Sequence, residues 1–108
     1  EVHINKDLIE WVSNLVRATR SGSSEVKYVN EWVRWGAGPR AGQAMILTAK
    51  ARALLSGRFA VTQDDIQHVA YPVLRHRILM NFKAESEGIT SDSVTKHLLG
   101  NIEIKKAL

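Results

Sequence analysis

Cysteine is absent from this chain, which excludes a disulfide framework, thiolate catalysis and thiolate metal ligation. Long apolar runs are also absent. No run exceeds a few residues, whereas a membrane-spanning helix needs about 20. The opening "EVHINKDLIE" has no basic segment followed by an apolar block, so no signal peptide is read there. The P-loop pattern G-x-x-x-x-G-K-[ST] does not occur, and neither does the G-x-S-x-G nucleophile elbow. The four histidines, His3, His68, His76 and His97, are dispersed without tight ligand spacing, so no metal site is expected. The acid pairs Asp64–Asp65 and Glu85/Glu87 fall at a helix start and in a loop, where capping and solvation account for them. An enzyme complete within these residues is not expected.

What remains fits one globular domain. The chain has 108 residues, 44% of them apolar, enough for a single core. Fifteen basic residues against 11 acidic ones give a formal charge of +4. That permits an anionic partner without specifying one.

Apolar periodicity organises the chain into helices. Leu8, Trp11, Val12, Leu15 and Val16 recur at three- and four-residue spacing, with Asn5 or Asp7 as the cap. A second strong helix is expected over residues 39–56, with Ala44, Leu47, Thr48, Ala51, Leu54 and Leu55 as its buried stripe and Gly57 as a left-handed stop. Thr62 with Asp65 marks a third start, and Ile66, Val69, Ala70, Val73 and Leu74 continue it. Pro72 should kink or divide that helix. A last helix begins near Thr90 or Ser91, carries Val94, Leu98 and Leu99, and closes at Gly100. The stretch "EVKYVNEWVRWG" reads as a connector or a helical turn, and the terminal "NIEIKKAL" as a frayed end or edge segment. Residues 26–29 and "FAV" are candidates for minor strands. The expected fold class is all-α: a small bundle of four to five helices with little or no sheet.

One stretch raises a question of charge. In "WVRWGAGPRAGQAMILTAKA", Gly38 falls at a helix cap, Pro39 at the first helical position and Arg40 at the second, followed by Ala41. A cation there opposes the positive end of the helix dipole by a few tenths to about 1 kcal/mol. Either a carboxylate of the same domain or an external anion such as phosphate removes the conflict, and local physics leaves both open. "GAGPRA" also fits the dinucleotide fingerprint, but the preceding "NEWVRW" reads as a poor central strand and the chain offers no other candidates for a parallel sheet.

The same residues carry a family resemblance. "VRATR", "GAGPRA", "GRF", the valine–threonine cap and "PVLRHRIL" occur in an order and spacing that resemble the C-terminal lid domain of MoxR-family AAA+ ATPases. The commoner family form has serine where this chain has Gly38. The resemblance implies that Arg40 is the sensor-2 arginine, reaching the γ-phosphate of ATP, with Gly38, Pro39 and Ala41 beside the nucleotide. It implies an ATP-binding core N-terminal to Glu1 that holds ATP and Mg2+, so that this chain alone hydrolyses no ATP. It further implies a hexameric ring, a von Willebrand factor A domain partner, chaperone-like remodelling and a cytoplasmic location. Arg75 and Arg77 in "LRHR" are a second basic cluster, facing either nucleotide, a neighbouring subunit or solvent. The alternative readings are a basic nucleic-acid-binding helical domain and an interaction module anchored by Trp32 and Trp35. Against the first, the basic residues are scattered over all helices rather than gathered on one recognition helix.

Overall fold

A computed structural model describes residues 2–22 and 24–104. Four main helices build the body: α1 (Lys6–Ala18), α3 (Pro39–Leu55), α4 (Gln63–Arg75) and α6 (Ser91–Asn101). Two short helices, α2 (Lys27–Trp32) and α5 (Phe82–Ser86), bring the number among the described residues to six. A small antiparallel ribbon, β1 (Val33–Trp35) with β2 (Leu79–Met80), pairs Val33 with Met80 and Trp35 with Leu79. The all-α expectation holds; of the extra elements, "EVKYVNEWVRWG" supplies α2 and β1 in turn, and residues 79–86 supply β2 and α5. The expected minor strands differ: residues 26–29 enter α2, while of "FAV" only Ala60 bridges, to His3. The end of "NIEIKKAL" beyond residue 104 lies outside the described residues.

The helix starts follow the capping chemistry. Asn5, not Asp7, caps α1, its side-chain oxygen accepting from the Asp7 N–H at 2.8 Å. Thr62 and Asp65 form a reciprocal capping box on α4. Thr90 caps α6 by accepting from the Ser93 N–H. Gly57 takes φ +77° directly after α3, the left-handed stop that only glycine adopts without strain. Helix α6 runs through Gly100 to Asn101. Helix α4 continues unbroken over Pro72, which sits on the exposed side, where water can satisfy the freed carbonyl.

The core lies where α3 packs between α1 and α4, with α6 against α4. Trp11, Leu15, Met45, Ile66, Leu74, Val94 and Leu98 are buried there. The Trp11 indole N–H donates to the Ile102 carbonyl at 2.7 Å, which ties the segment after α6 to α1.

Helix α3 corrects the sequence reading. Its buried side is Ala41, Met45, Ala49 and Ala53. Of the expected stripe, Ala44 packs half-buried against the core, but the rest faces outward: Leu47, Leu54 and Leu55 are 68%, 58% and 88% exposed, and Thr48 and Ala51 are exposed as well. The physical reason is close packing. Small residues let neighbouring backbones approach, and a methyl placed on Gly42 would sit 3.7–3.8 Å from Val12 and Val16 of α1. The bulky leucines are left on the far side.

Candidate functional site

The site begins with the linker between β1 and α3. A Cβ on Gly36 would lie 2.4 Å from the Thr19 carbonyl oxygen, so only glycine fits against the end of α1. Next to it, the buried Thr19 hydroxyl accepts from the Ala37 N–H at 2.9 Å and donates to the Val16 carbonyl at 2.6 Å. These contacts fix the chain at Ala37, one residue before the α3 cap.

Gly38 caps α3 with extended backbone and no side-chain hydrogen bond, and Pro39 opens the helix. The space around Gly38 is open, so a larger cap residue fits there. Arg40 follows in the first turn and is exposed. Among the described residues its side chain has no ion-pair or hydrogen-bond partner, and α3 contains no carboxylate. The carboxylate alternative left open by the sequence is therefore not realised among those residues. Pro39 has no N–H and the Ala41 N–H donates to the Gly38 carbonyl at 3.0 Å, so what favours an anion here is the positive end of the helix dipole together with the Arg40 guanidinium.

The other arginines differ. Arg52 and Arg58 converge on Asp65, whose side chain is fully buried. Arg58 donates to both carboxylate oxygens at 2.7 Å, and Arg52 donates to one at 2.7 Å. The Thr62 N–H adds a bond of 2.9 Å. The Arg58 hydrogen bonds, ahead of the Thr62 and Arg52 bonds and against the opposing effect of burial, hold the Asp65 carboxyl far below the usual carboxylate range. In turn the Asp65 carboxylate raises the Arg58 guanidinium above its ordinary value.

Arg75 forms a two-pronged pair with Asp92 through Nε and Nη2, both at 3.0 Å. The pair joins the last turn of α4 to the first turn of α6, and each charge suits its helix end. Arg77 donates to the Val73 carbonyl at 2.8 Å, within its own helix end. Among the arginines of the described residues, only the side chains of Arg20, Arg34 and Arg40 lack a hydrogen-bond or ion-pair partner. Gly36 sits against the Arg20 backbone and lies between Arg34 and Arg40 in the chain, so all three emerge near the start of α3. Arg20 closes the "VRATR" motif and Arg34 belongs to none; their lack of a side-chain partner among the described residues is a property of the fold.

The tryptophans separate. Trp32 ends α2, half-buried, with the Lys83 ammonium 4.8 Å from its ring centre. Trp35 is 70% exposed on the ribbon, opposite the exposed Leu79. Among the described residues no group of three or more His, Asp or Glu is placed to hold a metal ion. None of the described helices is long and apolar enough to cross a membrane.

Known proteins share this fold and much of this sequence. Chaperone MoxR1 of Mycobacterium tuberculosis is 32% identical over 105 residues, covering 94% of this chain and 27% of that protein. Protein MoxR of Paracoccus denitrificans is 33% identical over 84 residues, covering 73% of this chain and 25% of its own length. The crystal structure of a candidate ATPase from Cytophaga hutchinsonii superposes with a TM-score of 0.91 at 34% identity, over 97% of this chain and 32% of that one. The chain thus spans about a third or less of each relative. Residues 27–98 match the AAA lid domain family, and on that match, which covers most of the chain, this protein belongs to the AAA lid domain family and is a relative of the MoxR chaperones.

Proposed function

We propose that this domain is the lid of a MoxR-type AAA+ ATPase and that Arg40 is its sensor-2 arginine. The observation that carries the reading is the exposed Arg40 at the positive end of α3, without a partner among the described residues and on a helix without a carboxylate. That arrangement fits a phosphate group, which both the guanidinium and the helix end attract.

ATP presents a terminal phosphate that ADP lacks. Arg40 gains contacts only in the first state, so the nucleotide biases the lid's position on the core. A charge-assisted bond of about 1.5–3 kcal/mol shifts such an equilibrium roughly tenfold to a hundredfold. Arg40 also places positive charge where negative charge develops during phosphoryl transfer. Gly38, Pro39 and Ala41 form the backbone beside that phosphate. The core domain holds most of the ATP and its Mg2+, and this chain, which has no P-loop, turns over no ATP alone. Arg75 and Arg77, occupied by Asp92 and the Val73 carbonyl, hold the bundle together in this reading rather than the nucleotide. The ring assembly, the von Willebrand factor A domain partner, chaperone-like remodelling and cytoplasmic location belong to the same proposal and rest on likeness to MoxR proteins.

The test is ATP turnover by the full-length protein carrying Arg40→Ala or Arg40→Lys. A loss of tenfold or more in the alanine variant, only partly restored by lysine, supports the reading. Unchanged turnover in both variants overturns it.

A further inference from the structure

Most of the chain's arginines are tied within the fold. Arg17 donates to Asn14, Arg52 and Arg58 to Asp65, Arg75 to Asp92 and Arg77 to the Val73 carbonyl. The remaining three, Arg20, Arg34 and Arg40, have no side-chain partner among the described residues, and all three are exposed near the start of α3. Like charges repel, so uncompensated cations gathered in one place favour an anion there.

Of the three, Arg20 has the most firmly built root. It follows the buried Thr19 at the end of α1. A Cβ on Gly36 would lie 2.8 Å from the Arg20 Cα, so the linker into α3 crosses in direct contact with it. The turn after Arg20 is pinned as well. The Asn30 side chain accepts from the Gly22 N–H at 2.7 Å and donates to the Ser24 carbonyl at 2.8 Å, and the Ser24 hydroxyl donates to the Ala18 carbonyl at 2.6 Å. From Gly36 to Arg40 the chain spans at most about 14 Å. Arg20 thus stands at the crossing and Arg40 just past it. The negative dipole end of α1 accounts for a cation at Arg20, but it leaves the guanidinium N–H donors free. Arg34 differs, because it lies between the two paired positions of β1, where the register of the ribbon shifts.

We infer that Arg20 is a second phosphate-binding arginine: it grips a phosphate chain from the end of α1, as Arg40 does from the start of α3. The inference rests on the sensor-2 reading for the presence of a phosphate at this place. Arginine suits the role, because its planar fork meets phosphate oxygens in pairs and keeps its charge. Two arginines rooted on separate elements also fix the direction of the phosphate chain, which one alone does not. Nucleotide then ties α1 to α3 from outside, as the Thr19–Ala37 hydrogen bond ties them from within.

Binding of a non-hydrolysable ATP analogue to the full-length protein tests this, in Arg20→Ala, Arg20→Lys, Arg34→Ala and Arg40→Ala. Arg20→Ala should lose about tenfold or more in affinity, Arg20→Lys less, and Arg34→Ala no more than about twofold. The melting temperature of Arg20→Ala should stay within about 2 °C of wild type, since no side-chain bond inside the bundle is removed. Unchanged analogue affinity in Arg20→Ala overturns the inference. An equal loss in Arg34→Ala does so too, because it marks a diffuse field rather than a contact. A melting temperature many degrees lower in Arg20→Ala makes that residue structural and has the same consequence. A loss in Arg20→Ala with none in Arg40→Ala sinks the sensor-2 reading and spares the second arginine, and the opposite pattern does the reverse.

Discussion

Arg58 grips the buried Asp65 carboxylate with two hydrogen bonds of 2.7 Å. Asp65 also belongs to the capping box of α4, and Arg52 reaches it from α3. One carboxylate therefore joins the end of α3, the loop after it and the start of α4, the two helices that pack most closely.

Replacing that carboxylate should destabilise the domain. Removing one partner of a fully buried pair costs about 3–5 kcal/mol, less where the remaining cations reach water. Arg52 and Arg58 are 34% and 36% exposed, so we expect about 2–3 kcal/mol for Asp65→Asn. Urea unfolding of the domain measures it, and a loss below about 0.5 kcal/mol would contradict the assigned role.

The same pair sets an acid dependence. The Asp65 pKa is lowered by folding, so its stabilisation is complete above the unfolded carboxylate value of about 4. It declines as pH falls below that value, and is gone only below the folded pKa. Unfolding free energy should therefore drop between about pH 4 and pH 2 more steeply in the wild type than in Asp65→Asn. Parallel curves for the two proteins would exclude Asp65 as the source.

Near the site, Gly36→Ala forces a methyl to within 2.4 Å of the Thr19 carbonyl oxygen. Backbone surrounds that position, so the linker must shift, and a loss of about 1–3 kcal/mol is expected. Thr19→Val leaves the buried Ala37 N–H without its acceptor, for about 1–3 kcal/mol. Both variants should move the start of α3, visible as chemical-shift changes at Ala37–Ala41. A Gly36→Ala protein with wild-type stability would show that the close approach does not exist.

Surface variants on α3 should behave differently. Arg40→Ala and Leu47→Ser remove groups that touch little within the bundle, so unfolding free energy should stay within about 0.5 kcal/mol of wild type. Arg75→Ala breaks an ion pair with both partners nearly half exposed, and should cost less than about 1 kcal/mol. A large loss in Arg40→Ala, measured by the same urea titration, would mark it as a structural residue.

Much of this architecture is written locally. Asn5, Thr62 and Gly57 end or begin helices through bonds to residues a few positions away, so their roles can be read without the fold. The core face of α4 is legible too, because Ile66, Val69, Ala70, Val73 and Leu74 contrast with polar neighbours. Helix α3 offers no such contrast. Its leucines recur at helical spacing, but periodicity locates a strip without telling which body covers it. The alanines that do face the bundle give a weak apolar signal, and their value lies in letting α1 approach. The Arg75–Asp92 pair spans 17 positions and the Thr19–Ala37 bond 18, and such contacts leave no local trace. Arg40 sits between these cases. Its conflict with the helix dipole is visible in sequence, while its lack of a partner among the described residues emerges only from the fold.

The central claim is that Arg40 distinguishes ATP from ADP, and nucleotide binding to the full-length protein measures it most directly. Affinities for ADP and for a non-hydrolysable ATP analogue should be compared in wild type and Arg40→Ala. The variant should lose roughly tenfold to a hundredfold in analogue affinity and keep its ADP affinity within about twofold. Equal losses for both nucleotides, or no loss for either, would contradict the account.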